Sequence, residues 1–516
     1  IASCLVGSEM CIRDRPGSVS PSTNAGSWWE KLAGYYSKYL DLGATEERCD
    51  MNRPLRVAIV GAGPAGIYAA DLFTKAERDF EVSIDLFERL PAPFGLVRYG
   101  VAPDHPRIKG ITNALVKILD RGDIRLFCNV DFGTDIHLED LQKLYDVVIF
   151  STGCFIDANL RIPGVELPRS YGAAEFVNWY DSHPDVSQEW PLDQKSVAVI
   201  GNGNVALDVA RMLAKQADDL LTTEIPDHVY QGLKKSQVTD VHVFGRRGPA
   251  QAKFTPLEIR ELGQVKDVDI IVYPEDFEFD EGSMKSIQES NQVKQVTKTL
   301  TDFTLREPTG AKRRLHLHFL HAPVSILGDE ETGVTGLRTE RQELDGTGNV
   351  TGTGEFHDWD VTAIYRAVGY FGTPLPQLPF DARKGVITNV EGRVVDGESQ
   401  MTANEAPVIP GVYVTGWIKR GPVGLIGHTK GDALETIGHV ITDFVEGKLP
   451  EPDNADEGAI VELLKSRGVD FIDWEGIHRL EAAERASGAP HGRERIKVAT
   501  REGMLAAARE AVSNDE

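Results

Sequence analysis

The sequence predicts an α/β protein made of two dinucleotide-binding (Rossmann-like) domains, the second inserted into the first. Three observations carry this. Glycine-rich turns occur at Gly61-Ala62-Gly63-Pro64-Ala65-Gly66 and at Gly201-Asn202-Gly203-Asn204-Val205-Ala206, roughly 140 residues apart. Each lies between a short apolar run and a stretch of helical spacing, the strand–turn–helix context that gives such glycines meaning. Two apolar runs that lead into Thr-Gly, Tyr145 to Phe150 and Val412 to Thr415, flank the second turn, so the chain leaves the first unit and later returns to it.

In the first unit, Leu55 to Val60 (LRVAIV) is a run suited to a buried parallel strand, and Ile67 to Phe73 has helical spacing. Gly61, Gly63 and Gly66 permit the tight turn and let the backbone, with Ala65, approach a pyrophosphate at the helix N-terminus. Val82 to Phe87 (VSIDLF) is the next strand. It delivers Glu88 at the spacing of about 20 residues where an acid hydrogen-bonds a free ribose 2′-OH. Pro91 to Pro106 (PAPFGLVRYGVAPDHP) is too rich in Pro and Gly for a long helix or central strand, and should run as a loop beside a cofactor.

The second unit is looser. Ser196 to Ile200 (SVAVI) is a strand and Val205 to Leu213 begins a helix. Thr222 to Gln237 reads as an insertion, with Pro226 and Gly232 interrupting any long helix. Val241 to Phe244 then delivers Arg246 and Arg247, which suit a 2′-phosphate; the second dinucleotide is therefore NADP. Ile270 to Asp358, with LHLHFL in it, alternates short apolar runs and polar turns and suggests an antiparallel excursion. Leu425 to Phe444 is a long helix. Beyond Glu451 the chain is polar, with helices around Gly458 to Arg467, Trp474 to Glu484 and Gly503 to Val512 that could wrap back on the body.

Composition narrows the function classes. The 516 residues suffice for two or three domains, and 41% hydrophobic with 26% charged residues is ordinary for a soluble globular protein. No apolar run reaches the roughly 20 residues of a membrane span, so no membrane insertion is expected. A net charge of −24 argues against nucleic acid as a partner. Cys4, Cys11, Cys49, Cys128 and Cys154 form no CxxC pair, which excludes a redox-active disulfide or an in-chain iron–sulfur cluster and fits a reducing, cytoplasmic setting. Residues 1–50 read unlike the rest. Ser3 to Arg15 resembles translated adapter sequence, Met51 looks like the native start, and acids such as Glu9 and Asp14 argue against a transit peptide. Trp28 to Leu40 could form a short amphipathic helix.

Four segments together carry a family likeness: PFGLVRYGVAPDHP, GNGNVALDVAR, Arg246-Arg247-Gly248-Pro249 with Phe254 to Glu258, and Gly416 to Ile426 (GWIKRGPVGLI). They resemble ferredoxin–NADP⁺ reductases of the adrenodoxin-reductase type, over roughly Arg53 to Leu449. The resemblance implies FAD in a first domain (52–154 with 370–449), NADP in an inserted domain (155–369) and a small acidic iron–sulfur protein such as ferredoxin as electron partner. Residues 450–516 remain as a C-terminal extension. On this likeness Glu88 holds the adenosine ribose, Leu96 and the Val130 to Phe132 backbone line the FAD, and Trp417, Gly424, Leu425 and Ile426 contact the flavin end. Asn202, Gly203, Asn204 and Val205 would cradle the NADP pyrophosphate. His105 and Glu258 would be the catalytic pair beside the nicotinamide, with no metal. Read by themselves, His105 suits a turn cap, Trp417 a core position, and Glu258 the first turn of a helix.

Hydride transfer needs two rings held in contact with water excluded, and little acid–base chemistry. Arg211, Lys215, Lys253, Arg260, Lys419 and Arg420 are candidate docking cations for an acidic carrier. A flavoprotein mono-oxygenase would show an FxGxxxHxxxW-like segment between the units, and none is present. An electron-input subunit like that of glutamate synthase would need cysteine clusters. A non-catalytic nucleotide sensor would be expected to have lost His105 and the Trp417 to Ile426 segment.

Overall fold

The computed structural model describes residues 53–76, 80–396, 407–423 and 426–510. The expectations on residues 1–50, Gly424 and Leu425 lie outside the described residues, and of Ile426 only the backbone is described.

The first turn is entered from strand β1 (Leu55–Val60), buried along its whole length, and left through the helix Pro64–Lys75. Strands β2 (Val82–Glu88), β3 (Ile124–Cys128) and β4 (Val147–Phe150) follow. β1 pairs in parallel with both β2 and β4, which is why its sequence is a continuous apolar run rather than an alternating one. On the helix, Ile67 and Phe73 are fully buried against this sheet, each such side chain stabilising by about 1.5–3 kcal/mol. The Pro/Gly-rich loop holds only two four-residue helices, Leu96–Tyr99 and Pro106–Lys109.

The second unit contains β5 (Ser170–Gly172), β6 (Ser196–Ile200), β7 (Asp240–Phe244), β8 (Val268–Val272), β9 (Arg313–His318), β10 (His321–Asp329), β11 (Gly333–Leu344), β12 (Val350–Trp359) and β13 (Ile364–Arg366). Six of them form a parallel sheet of order β5–β13–β6–β7–β9–β8. Two expectations need correction. The insertion Thr222 to Gln237 holds a nine-residue helix, Asp227–Lys235, which runs through Gly232. A Cβ there would meet the Trp179 ring at 2.8 Å, so this glycine serves close packing and not a break. The antiparallel excursion is confined to β10–β11–β12. The part before it carries the helices Glu281–Glu289 and Asn291–Thr304, and LHLHFL supplies most of β9, a parallel strand between β7 and β8. Alternation is not diagnostic there because one sheet face meets apolar helices and the other a cluster of histidines.

The chain then returns. β14 (Asn389–Val390), β15 (Arg393–Val395) and β16 (Val408–Val414) complete a seven-stranded sheet of order β14–β15–β16–β4–β1–β2–β3. Between the units, Ile156–Asp157 pairs antiparallel with Tyr370–Phe371, one strand on the way out and one on the way back. The helix Ile426–Val445 packs along Pro64–Lys75. The C-terminal helices Ala459–Ser466, Trp474–Gly488 and Arg501–Arg509 lie on the body, and Ile472 extends the edge of β3 through paired backbone hydrogen bonds with Cys128. No helix among the described residues is long and apolar enough to cross a membrane.

Candidate active site

Each glycine turn ends in a helix whose first N–H groups carry no side-chain cap. A Cβ on Gly203 would meet nothing within 4 Å, and one on Gly63 only the Gly95 Cα at 3.9 Å. Positions Gly66 and Gly201 are the reverse: a Cβ would strike the Gly61 carbonyl at 2.0 Å and the Ala367 carbonyl at 2.4 Å. The turns thus keep open space over an electropositive helix end, with tight packing behind it, a cradle suited to a pyrophosphate.

Glu88 ends β2 beside the first turn. Its carboxylate accepts from the Ala62 N–H at 2.9 Å and the Leu90 N–H at 3.0 Å. Burial raises its pKa against these donors. At the second turn Arg246 is exposed and Arg247 half-buried, and neither has a carboxylate partner among the described residues. Two uncompensated guanidinium groups at a strand end fit a 2′-phosphate.

The other expected residues divide. Gly416, with φ of 75°, sits so close to the first turn that a Cβ would be 2.6 Å from that of Ala65, bringing Trp417 alongside. The Trp417 carbonyl accepts from the buried Cys154 thiol at 3.4 Å. Leu96 is partly buried beside the same core. The Phe132 ring is core, edge-on to Phe150 at 4.9 Å. Asn202 O accepts from the Lys253 N–H at 2.9 Å, and Val205 packs against the cores of both units. Asn204 Oδ1 accepts from the Thr255 N–H at 3.0 Å, and Thr255 in turn caps the helix Pro256–Leu262 that carries Glu258.

His105 and Glu258 meet where the units touch. His105 Nε2 lies 3.2 Å from Glu258 Oε2 and 3.1 Å from Asp208 Oδ1, and its Nδ1 lies 3.3 Å from Glu261 Oε2. All of this is buried except Glu261. Arg211 lies beside them, with Nη2 2.9 Å from Asp208 and Nη1 3.6 Å from Glu258. Burial and Arg211 oppose the imidazolium, but Asp208 and Glu258 outweigh them, and His105 is pushed up to about 11. Arg211 Nη2 also comes within 2.5 Å of His105 Nε2, a contact between two donors that the surrounding carboxylates must overcome. Glu258 Oε1 lacks a hydrogen-bond partner, as do the Arg211 Nη1 and the Tyr180 and Tyr370 hydroxyls nearby. Buried polar atoms without partners mark a place built for something polar. His105, Asp208 and Glu258 are close enough to suggest metal ligands, but the Arg211 guanidinium already supplies their cation.

The sequence reading missed Asp208 and misassigned Arg211. Asn204, Asp208 and Arg211 share one face of the helix Asn204–Ala214, a polar stripe on an otherwise apolar helix, and that stripe was the available signal. Arg211 is 2% exposed and pairs with Asp104, so it cannot be a docking cation. Lys419 is likewise buried, held by Asp432 and Glu435. Lys253 and Arg260 are exposed.

A family model described as pyridine nucleotide-disulphide oxidoreductase matches residues 55–243. The mitochondrial NADPH:adrenodoxin oxidoreductase of Arabidopsis thaliana is 39% identical over 469 residues, covering 89% of this chain and 96% of that protein. NADPH-ferredoxin reductase FprA of Mycobacterium tuberculosis is 39% identical over 462 residues, covering 87% and 98%. A solved structure of that FprA in complex with NADPH superposes with a TM-score of 0.80 at 38% identity, over 89% of this chain and all of the other. With its two glycine turns, its unpaired arginines and the buried His105–Glu258 junction, this chain belongs to the family of NADPH-dependent ferredoxin and adrenodoxin reductases.

Proposed function

We propose that this chain is an FAD-dependent oxidoreductase that moves electrons between NADPH and a one-electron iron–sulfur carrier such as ferredoxin. The observation that carries the reading is the junction at which His105, from the first unit, meets Asp208 and Glu258, from the second. Bound in the first unit, FAD would supply the link between two-electron hydride transfer and single-electron transfer. The first unit, 52–154 with 370–449, holds it: the turn at Gly61 to Gly66 takes the pyrophosphate, Glu88 the ribose, and Leu96, Trp417 and the Gly424 to Ile426 segment the flavin end. The inserted unit, 155–369, binds NADP through Asn202 to Val205 and through Arg246 and Arg247.

The chain's own groups orient and screen. Glu258, dry and with its Oε1 left over by His105 and Arg211, accepts from the nicotinamide carboxamide. His105 carries a proton between Asp208 and Glu258 and keeps these carboxylates compensated, so that the junction can exclude water without repelling an electron-rich ring. Lys253 and Arg260 are exposed cations near the second turn and can meet an acidic carrier, helped by Arg420 at partial exposure, whereas Lys215 is taken up by Asp104. We place the protein in a reducing compartment such as the cytoplasm, since Cys128 and Cys154 are both free thiols.

Anaerobic stopped-flow mixing of the purified flavoprotein with NADPH, and separately NADH, tests this. Rapid bleaching with strong preference for NADPH is expected. A protein that binds no flavin would end the enzyme reading, and equal use of NADH would end the arginine assignment. Reduction of ferredoxin that slows as salt rises would support charge docking, and a salt-independent rate would remove it.

A further inference from the structure

The C-terminal extension carries a buried lysine that touches both nucleotide units at once. Lys497 Nζ donates to the Arg98 carbonyl of the first unit at 2.6 Å. It also donates to the Asp181 carbonyl at 3.1 Å and pairs with Glu224 at 2.9 Å, both in the second unit. An ammonium has three N–H donors, and these acceptors, with Asp181 Oδ1 at 3.4 Å, suffice to engage them all. The side chain is 2% exposed, so water cannot substitute for a lost partner.

The surroundings make this joint rigid. Lys109, of the first unit, reaches the same two carboxylates, Asp181 at 3.2 Å and Glu224 at 2.7 Å. Glu484, fully buried, accepts from Arg98 at 2.5 Å and from the Val498 N–H at 3.1 Å, which fastens the extension to the first unit just beside Lys497. Arg98 belongs to the loop that runs from Leu96 to His105. Burial presses the Lys497 ammonium toward neutrality while Glu224 and Asp181 hold its proton.

We propose that Lys497 is a positioning residue: by bridging Arg98 to Asp181 and Glu224 it sets the angle between the two nucleotide units, and with it the approach of nicotinamide to flavin. The rate half of this statement rests on the function proposed above; the angle half does not. Removing the ammonium leaves Lys109 alone between two buried carboxylates, while Arg493 on the Ile225 carbonyl at 2.9 Å and Arg501 on Asp185 at 2.8 Å still hold the extension to the second unit.

The test uses the full chain, with Lys497→Met and Lys497→Arg. Spin labels at the exposed positions Lys117→Cys and Lys298→Cys, with Cys4, Cys11 and Cys49 changed to serine, report the distance between the units. Lys497→Met is expected to broaden the distance distribution and slow the first flavin reduction by NADPH at least ~10-fold, since misplacement by an ångström suffices. FAD content and NADP⁺ affinity should stay within ~2-fold, and Lys497→Arg should recover part of the rate. If Lys497→Met does not fold, Glu224→Gln carries the same readouts. An unchanged distribution overturns the proposal whatever the rate does, and a broadened one with an unchanged rate overturns the link to catalysis. A wild type that NADPH does not reduce overturns the functional reading and leaves the distance test standing.

Discussion

Asp104 and Arg211 form a bidentate pair at 2.9 and 3.0 Å that ties the loop before His105 to the helix of the second glycine turn. Lys215 adds a third bond to the same carboxylate at 2.9 Å. These cations hold Asp104 well below the usual carboxylate range despite its burial. Deleting Asp104 leaves Arg211 with Asp208 and Glu258, so the cost falls below the about 3–5 kcal/mol of a buried charge left wholly unpaired. Asp104→Ala should therefore lower the urea midpoint, and its effect should shrink when Arg211 is already methionine. Strict additivity in that double-mutant cycle would mean that the pair does not couple the units.

Glu258→Gln should slow flavin reduction by NADPH on the order of 10–100-fold, the range for losing one charge-assisted contact in a dry site. FAD should remain bound, because Glu258 belongs to the inserted unit, on the helix Pro256–Leu262. Single-turnover reduction at the wild-type rate would remove Glu258 from the site.

His105 is raised above its ordinary value, so it stays protonated through neutral pH. Its stabilising contribution is complete below the unfolded histidine value and is lost as pH rises toward about 11. The reduction rate should thus show no histidine titration between pH 6 and 9, while stability declines on the alkaline side. A wild-type rate step near pH 6.5 that disappears in His105→Gln would contradict this.

Substituting Arg246 and Arg247 by alanine should cost roughly 10–100-fold in kcat/KM for NADPH per arginine and leave NADH nearly untouched, since only NADPH carries the 2′-phosphate. Comparing the two coenzymes with the double variant checks it; parallel losses for both would show a structural effect instead.

His242, His318 and His321 surround Trp359, His316 stacks on His242, and His242 Nδ1 and His318 Nε2 are 3.0 Å apart. Burial pushes His242 and His321 down to about 4 and His318 down to about 2. For a depressed histidine the stability is full above the unfolded value and is lost as pH falls below it. At pH 5 the 2%-exposed His318 should account for about 2 kcal/mol of that loss. Urea unfolding at pH 7.5 and pH 5 should separate widely in the wild type and less in His318→Phe. Equal separations would place the acid sensitivity elsewhere.

Local features were legible because their physics is local. β1 coincides with LRVAIV, since a strand buried on both faces needs an unbroken apolar run, and Glu88 falls at the end of β2 as the βαβ spacing predicts. The interrupted topology was also readable, from two strands that each lead into Thr-Gly. Alternation misled at LHLHFL, where the polar positions of β9 are histidines packed under β10–β12 and not solvent-facing residues.

The sequence by itself determined two nucleotide turns, the sign of charge beside each, and the return of the chain to its first sheet. Only the tertiary structure decided what the charges do. Arg211 looks like any surface cation in the sequence, yet it is buried against Asp104, a partner roughly 100 residues away. Lys497 lies in a polar extension, yet it bridges Arg98 and Glu224. Composition and periodicity report which backbone a segment prefers. The role of an ionisable group is set by its desolvation and by the opposite charge that the fold brings within hydrogen-bond reach.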